Sequence, residues 1–74
     1  MNLIDAKTFG MAIRLYRKKK KATQSQLAAV ANTGSRFIGD LENGKPTVQL
    51  DKALRVAHIL GLNIEIADID GDNK

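Results

Sequence analysis

The sequence predicts a mostly α fold of four to five helices closed by one C-terminal β-strand, and three observations carry that expectation. Between Phe9 and Leu60 apolar residues recur at three- and four-residue spacing, the period of helices with one buried face. The runs are separated by residues that end helices: Asn32, the Asn43-Gly44 pair with Pro46 behind it, and Gly61. After Gly61 the period drops to two, with Leu62, Ile64 and Ile66 alternating against Asn63, Glu65 and Ala67.

The first helix is expected to start at Thr8 as N-cap, to bury Phe9, Ala12, Ile13 and Tyr16, and to run to about Lys20. It ends in Lys18, Lys19, Lys20 and Lys21. These cations either compensate the helix macrodipole or attract phosphate, and the sequence leaves both open. Thr23 caps a second helix with Leu27, Val30 and Ala31 inward and a small Ala28 where the next helix crosses. Asn32 ends it in the left-handed conformation that asparagine tolerates best after glycine.

A third helix begins near Gly34 or Ser35 and buries Phe37, Ile38 and Leu41, leaving Ser35, Arg36, Gly39 and Asp40 on the opposite side. Thr47 is expected to cap a fourth helix with Leu50, Ala53, Leu54, Ala57 and Leu60 as its apolar stripe. A lone strand has no partner within the chain for its backbone N–H and C=O groups. Residues 62–70 are therefore expected to pair with the same strand of a second copy, through Leu62, Ile64 and Ile66, and residues 71–74 form a tail.

Composition narrows the function. A chain of 74 residues is one domain whose core supplies roughly 3–5 kcal/mol, so association with a second copy would help it. It has no cysteine for a disulfide or thiolate metal site. No apolar run approaches the roughly 18 residues of a membrane span, and Met1 to Ile4 lacks the features of a secretory signal, so the expected location is the cytoplasm. No cofactor is expected, and no enzyme: there is no nucleophile-base pair, metal-ligand cluster or phosphate-cradling glycine loop. His58 is the single histidine and lacks a second ligand.

Formal charge is +4, and its distribution is uneven. Glu65, Asp68, Asp70 and Asp72 crowd the C-terminus, whereas residues 7–45 set Lys7, Arg14, Arg17, Lys18 to Lys21, Arg36 and Lys45 against only Asp40 and Glu42. Such a surface attracts polyanions, nucleic acid first among them.

Residues Thr23 to Lys45, TQSQLAAVANTGSRFIGDLENGK, thus write two short amphipathic helices joined by a tight turn. They resemble the phage-repressor-like helix-turn-helix family, whose motif (T-Q-x-x-L-A, turn, x-x-I-x-x-x-E-x-G-K) is present as Thr23-Gln24, Leu27-Ala28, Ile38, Glu42 and Gly44-Lys45. The stretch RFIGDLENGKPTVQLDKALRVAHILGL, followed at once by the expected strand, is similar to HipB-type antitoxins. The resemblance implies a lambda-repressor-like DNA-binding domain over residues 1–61. Three positions depart from the family pattern: Lys21 stands where glycine commonly closes helix 1, Asn32 where the turn glycine lies, and Thr33 where a buried valine is usual.

The resemblance also implies roles. Gln24 would clamp a phosphate at the start of helix 2. Ser35 and Arg36 open the helix that enters the major groove; Arg36 either binds guanine O6 and N7 or contacts phosphate. Asp40 either accepts from cytosine N4 or pairs with Arg36 at i,i+4 spacing and orients it, the latter being preferred. Asn43 and Lys45 follow at positions that contact the backbone. Arg17 and Glu42 match positions that form a structural ion pair.

The expected function is a dimeric transcriptional repressor that binds double-stranded DNA at a palindromic operator. By resemblance it is also an antitoxin that holds a HipA-type kinase toxin inactive. The alternatives are a protein-binding adaptor or neutraliser, and a phage-type repressor without a toxin partner. A membrane or RNA binder built on Lys18 to Lys21 is disfavoured because consecutive lysines wrap around the helix axis.

Overall fold

The computed structural model of the chain describes residues 5–64, which form four helices: α1 (Ala6–Lys19), α2 (Gln24–Ala31), α3 (Ser35–Glu42) and α4 (Leu50–Ile59). α1 starts earlier than its apolar pattern suggests. Asp5, not Thr8, is its N-cap: the Thr8 N–H donates to Asp5 Oδ1 at 2.8 Å, and the Asp5 N–H donates to Thr8 Oγ1 at 3.2 Å. Threonine three residues into a helix can return the bond to a preceding cap, and aspartate is the stronger cap of the two. The hydrogen bonds from the Thr8 backbone and side chain hold the Asp5 carboxyl below its ordinary value.

At its other end α1 closes through Lys21, whose φ of 56° is left-handed, with the Ala22 N–H donating to the Arg17 carbonyl. A lysine thus occupies the conformation that glycine adopts without strain.

Thr23 caps α2 in a reciprocal box with Gln26: the Gln26 N–H donates to Thr23 Oγ1 at 3.0 Å, and the Thr23 N–H to Gln26 Oε1 at 2.8 Å. Asn32 ends the helix at φ 57°, ψ 47°, and the Thr33 N–H reaches back to the Ala28 carbonyl. Arg55 of α4 donates to the Ala31 carbonyl at 3.1 Å, satisfying another open acceptor at this end.

The buried side of α2 is Leu27, Ala28 and Ala31, and Val30, expected inward, is 69% exposed. At 3.6 residues per turn Val30 lies roughly 100° round from the centre of that trio, too far to share its face.

α4 also differs from expectation. Thr47 lies in a turn, and Gln49 is the N-cap, with no side-chain cap hydrogen bond. Val48 packs against the core just ahead of the helix and fixes where it enters. Its buried stripe is Ala53, Val56, Ala57 and Leu60, whereas Leu50 and Leu54 are 71% and 43% exposed. Two alanines on the stripe let α4 lie close on α2, and the leucines fall to one flank. Gly61 then ends the helix at φ 82°, and the Leu62 N–H donates to the Ala57 carbonyl at 2.9 Å.

The core joins Ile13 of α1, Leu27, Ala28 and Ala31 of α2, Ile38 and Leu41 of α3, and the α4 stripe, with Phe9, Tyr16, Phe37 and Leu62 packed against it. Gly10 makes the α1–α3 crossing possible, since a Cβ there would collide with the backbone carbonyl oxygens of Leu41 and Glu42. Residues 62–64 adopt no strand, and the rest of the expected strand, Ile66 included, lies outside the described residues.

A shallow apolar groove of about 390 Å³ runs between the start of α1, the α3–α4 connection and α4, lined by Phe9, Leu41, Val48, Leu50, Leu54 and Ile64 among others. No described helix is long and apolar enough to cross a membrane.

Candidate nucleic-acid interface

α3 is amphipathic because Ile38 and Leu41 anchor one side in the core. The opposite side carries Ser35 and Arg36, both exposed, then Gly39 and Asp40, both half-buried, then Asn43, exposed, at helical spacing. Ser35, Arg36 and Asp40 therefore project together from one short cylinder. At its start Gly34 supplies no side-chain cap, so the first N–H groups of α3 keep their donor capacity.

Asp40 does not pair with Arg36. Its ion partner among the described residues is Lys45, with Nζ 3.7 Å from Oδ2. The cause is local: the Lys45 N–H donates to the Asp40 carbonyl at 3.0 Å, which folds the chain after α3 back over its last turn. Left-handed Gly44, at φ 81°, allows that reversal. Arg36 keeps an exposed guanidinium that Asp40 does not orient.

Behind this face lies a buried polar joint. Arg17 Nε donates to Glu42 Oε2 at 2.6 Å and Nη2 to Oε1 at 3.0 Å, while Nη1 donates to the Ala22 carbonyl at 2.8 Å. The two residues are only 9% and 7% exposed. Burial pushes the Glu42 carboxyl up, but hydrogen bonds from Arg17 and Gln24, with the charges of Arg17 and Arg14, outweigh it and hold the group below its ordinary value. The bond to Glu42 in turn raises Arg17, against the opposing effect of burial.

Gln24, half-buried at the first position of α2, donates from Nε2 to Glu42 Oε1 at 3.1 Å. The start of α2, the end of α3 and the end of α1 thus share one carboxylate. The sequence alone did not reveal this link, nor the part played by Gly10. Gly10 does stand three and seven residues before Ile13 and Arg17, on the buried side of α1, which is a readable sign of close approach.

Of the remaining residues, Leu62 packs on the chain's own core and Ile64 is 44% exposed beside the apolar groove. Lys52 of α4 stands 5.9 Å from the Phe37 ring centroid and Lys19 5.2 Å from that of Tyr16. Among the described residues no cluster of histidine, cysteine, aspartate or glutamate could hold a metal ion.

Two solved structures share this architecture at a TM-score of 0.82. A HipB–O4 20mer complex is 22% identical, with 92% of this chain and 96% of that chain covered, and a complex of a HipB variant with an O2 20mer is 20% identical, covering 92% and 94%. An uncharacterized HTH-type transcriptional regulator, y4mF of Sinorhizobium fredii, is 49% identical over 57 residues, 77% of this chain and 75% of the relative. The helix-turn-helix family model matches residues 13–66, from the core-facing turn of α1 through α2, α3 and α4. On that match and that identity, the chain belongs to the phage-repressor-like helix-turn-helix family of transcriptional regulators.

Proposed function

We propose that the chain is a sequence-specific repressor of transcription that binds a palindromic operator as a homodimer. We further propose that it is the antitoxin of a type II toxin-antitoxin operon, which binds a HipA-type kinase toxin and holds it inactive. The observation that carries the DNA-binding reading is the outer side of α3, where Ser35 and Arg36 stand exposed at the uncapped end of a helix braced from behind by the core. N-terminal residues of such a helix come nearest the base edges in the major groove.

Ser35 and Arg36 contact bases, Asn43 and Lys45 hold phosphates, and the Asp40–Lys45 pair keeps the Asp40 charge from repelling the backbone. The second copy covers the groove that ends on Ile64 and pairs along residues 62–70, placing the two reading helices about 34–36 Å apart, one turn of the duplex. The likeness in fold to HipB in its 20mer complexes supports the antitoxin reading, and the name of the Sinorhizobium relative supports regulation of transcription.

The test is fluorescence anisotropy with duplexes from the chain's own promoter. Arg36→Ala is expected to weaken the specific duplex by about 1–3 kcal/mol while leaving a scrambled duplex unchanged. Equal loss on both makes Arg36 a phosphate contact. Absence of binding to any promoter duplex refutes the repressor and leaves a protein-binding adaptor. Failure to capture a co-expressed kinase from the neighbouring gene, with operator binding intact, reduces the protein to a phage-type repressor without a toxin.

A further inference from the structure

We infer that Gln24 is a specificity-determining residue that accepts a hydrogen bond from the exocyclic amino group of a base, and is not a phosphate clamp. The inference rests on the DNA-binding reading above. It starts from the amide's orientation, which the buried carboxylate decides. Glu42 is ionised and accepts only, so it draws Gln24 Nε2 towards itself, 3.1 Å from Oε1 of Glu42. The reversed amide would set oxygen against carboxylate oxygen. Arg17 holds Glu42 from the other side in a two-point bond, so the carboxylate cannot turn away.

The consequence falls on the other end of the amide. Gln24 Oε1 lies over the outer side of α3 at Gly39, 3.8 Å from where a Cβ on that glycine would stand. Among the described residues no group donates to it. Gly39 therefore leaves open the space in front of an unpaired acceptor, on the same side of α3 as Ser35 and Arg36. Phosphate oxygens accept and do not donate, so an acceptor presented there repels the backbone. The donors a major groove offers to an acceptor are adenine N6 and cytosine N4.

This account also gives Gly39 a reason to be glycine. An alanine there would make only ordinary van der Waals contact with Oε1 and would not disturb the fold, yet its methyl would stand between the amide oxygen and a base.

The experiment begins with selection of binding sites from a randomised duplex pool by the wild-type protein and by Gln24→Ala. Gln24→Ala is expected to lose preference at one base pair in each half-site and keep the others. At that position the amino-bearing base is then replaced by an analogue without the amino group, purine for adenine or 2-pyrimidinone for cytosine. The analogue should weaken wild-type binding about 5- to 100-fold and leave Gln24→Ala binding unchanged. Gly39→Ala should reproduce the loss of preference with its thermal stability intact or raised.

Three results overturn the assignment: uniform weakening by Gln24→Ala with every preference retained, unchanged binding by Gln24→Ala, or an analogue that costs both proteins equally. A wild-type protein that selects no sequence removes the DNA-binding reading itself and the assignment with it.

Discussion

Gly10→Ala tests the packing of α1 on α3, because general helix propensity and local geometry predict opposite signs. In a helix interior the change ordinarily gains about 0.5–1 kcal/mol. Here the added Cβ collides with the Leu41 carbonyl oxygen and stands 2.9 Å from that of Glu42 and 3.1 Å from the Glu42 carbonyl carbon. Carbon contacts are comfortable at about 3.5–4.0 Å. The obstacles are backbone atoms, which no rotamer change can move, so the helices must separate.

Overpacking of this kind costs about 1–3 kcal/mol, which outweighs the propensity gain and leaves a net loss of about 1–2 kcal/mol. For a domain of this size each kcal/mol moves the midpoint by about 4–8 °C, so thermal unfolding followed by circular dichroism should show a drop of about 4–16 °C. Gly39→Ala is the internal control, since its Cβ meets only Gln24 Oε1 at 3.8 Å and the propensity gain survives. A Gly10→Ala midpoint equal to or above that of Gly39→Ala would refute the close-approach argument.

Lys21→Gly should stabilise the domain by up to about 1 kcal/mol, because it relieves a left-handed lysine at φ 56°, whereas Asn32→Gly at φ 57° should gain only a few tenths; denaturant midpoints compare the two. Glu42 has a folded pKa below its ordinary 4.5, so its contribution is whole at neutral pH and is lost as the pH falls through 4.5 towards the folded value. The unfolding midpoint should therefore hold from about pH 8 to 6 and fall below about pH 5. Glu42→Gln should cost about 3–5 kcal/mol at neutral pH, through an unpaired buried Arg17, and flatten the acid limb. Ile64→Asp, or removal of all residues after Gly61, should yield monomers by analytical ultracentrifugation and sharply weaker operator binding; a dimer that survives the truncation sinks strand pairing.

Where the sequence can be read and where it cannot follows from the range of the interactions. Thr23 with Gln26 three residues on, Asn32 at the turn and Gly61 after α4 act within one helical turn, and the structure places each where local chemistry does. Thr8 and Thr47 misled as caps because a threonine suits several positions near a helix start, and the stronger Asp5 and the packing of Val48 decided the starts of α1 and α4. Leu54 and Val56 could not be ranked by periodicity, since both lie within a broad apolar stripe and only the position of α2 selects between them.

At the candidate interface the same distinction separates Asp40 from Arg17. An i,i+4 partner for Asp40 was available in Arg36, but the chain reversal at Gly44 brought Lys45 closer. The bond between Arg17 and Glu42 spans 25 positions, and only the family motif made it visible. The strand expected over residues 62–70 falls almost wholly beyond the described residues.

The buried Arg17–Glu42 pair is a weak source of net stability, because taking both charges out of water offsets most of what their attraction returns. What an apolar pair of equal volume could not do is hold polar groups at fixed angles. Glu42 takes both Arg17 donors and the Gln24 amide, while Arg17 also fixes the Ala22 carbonyl just before the α2 cap. The end of α1, the entry of α2 and the end of α3 are thus set by one carboxylate. The relative placement of α2 and α3 is what a helix-turn-helix must keep constant when its outer side meets a duplex. In a core this small, filled by alanines at Ala28, Ala31, Ala53 and Ala57, apolar packing tolerates small shifts between helices, whereas a two-point bond at 2.6 and 3.0 Å does not. The charge pair is therefore better understood as the device that sets the angle of the reading helix than as the device that keeps the chain folded.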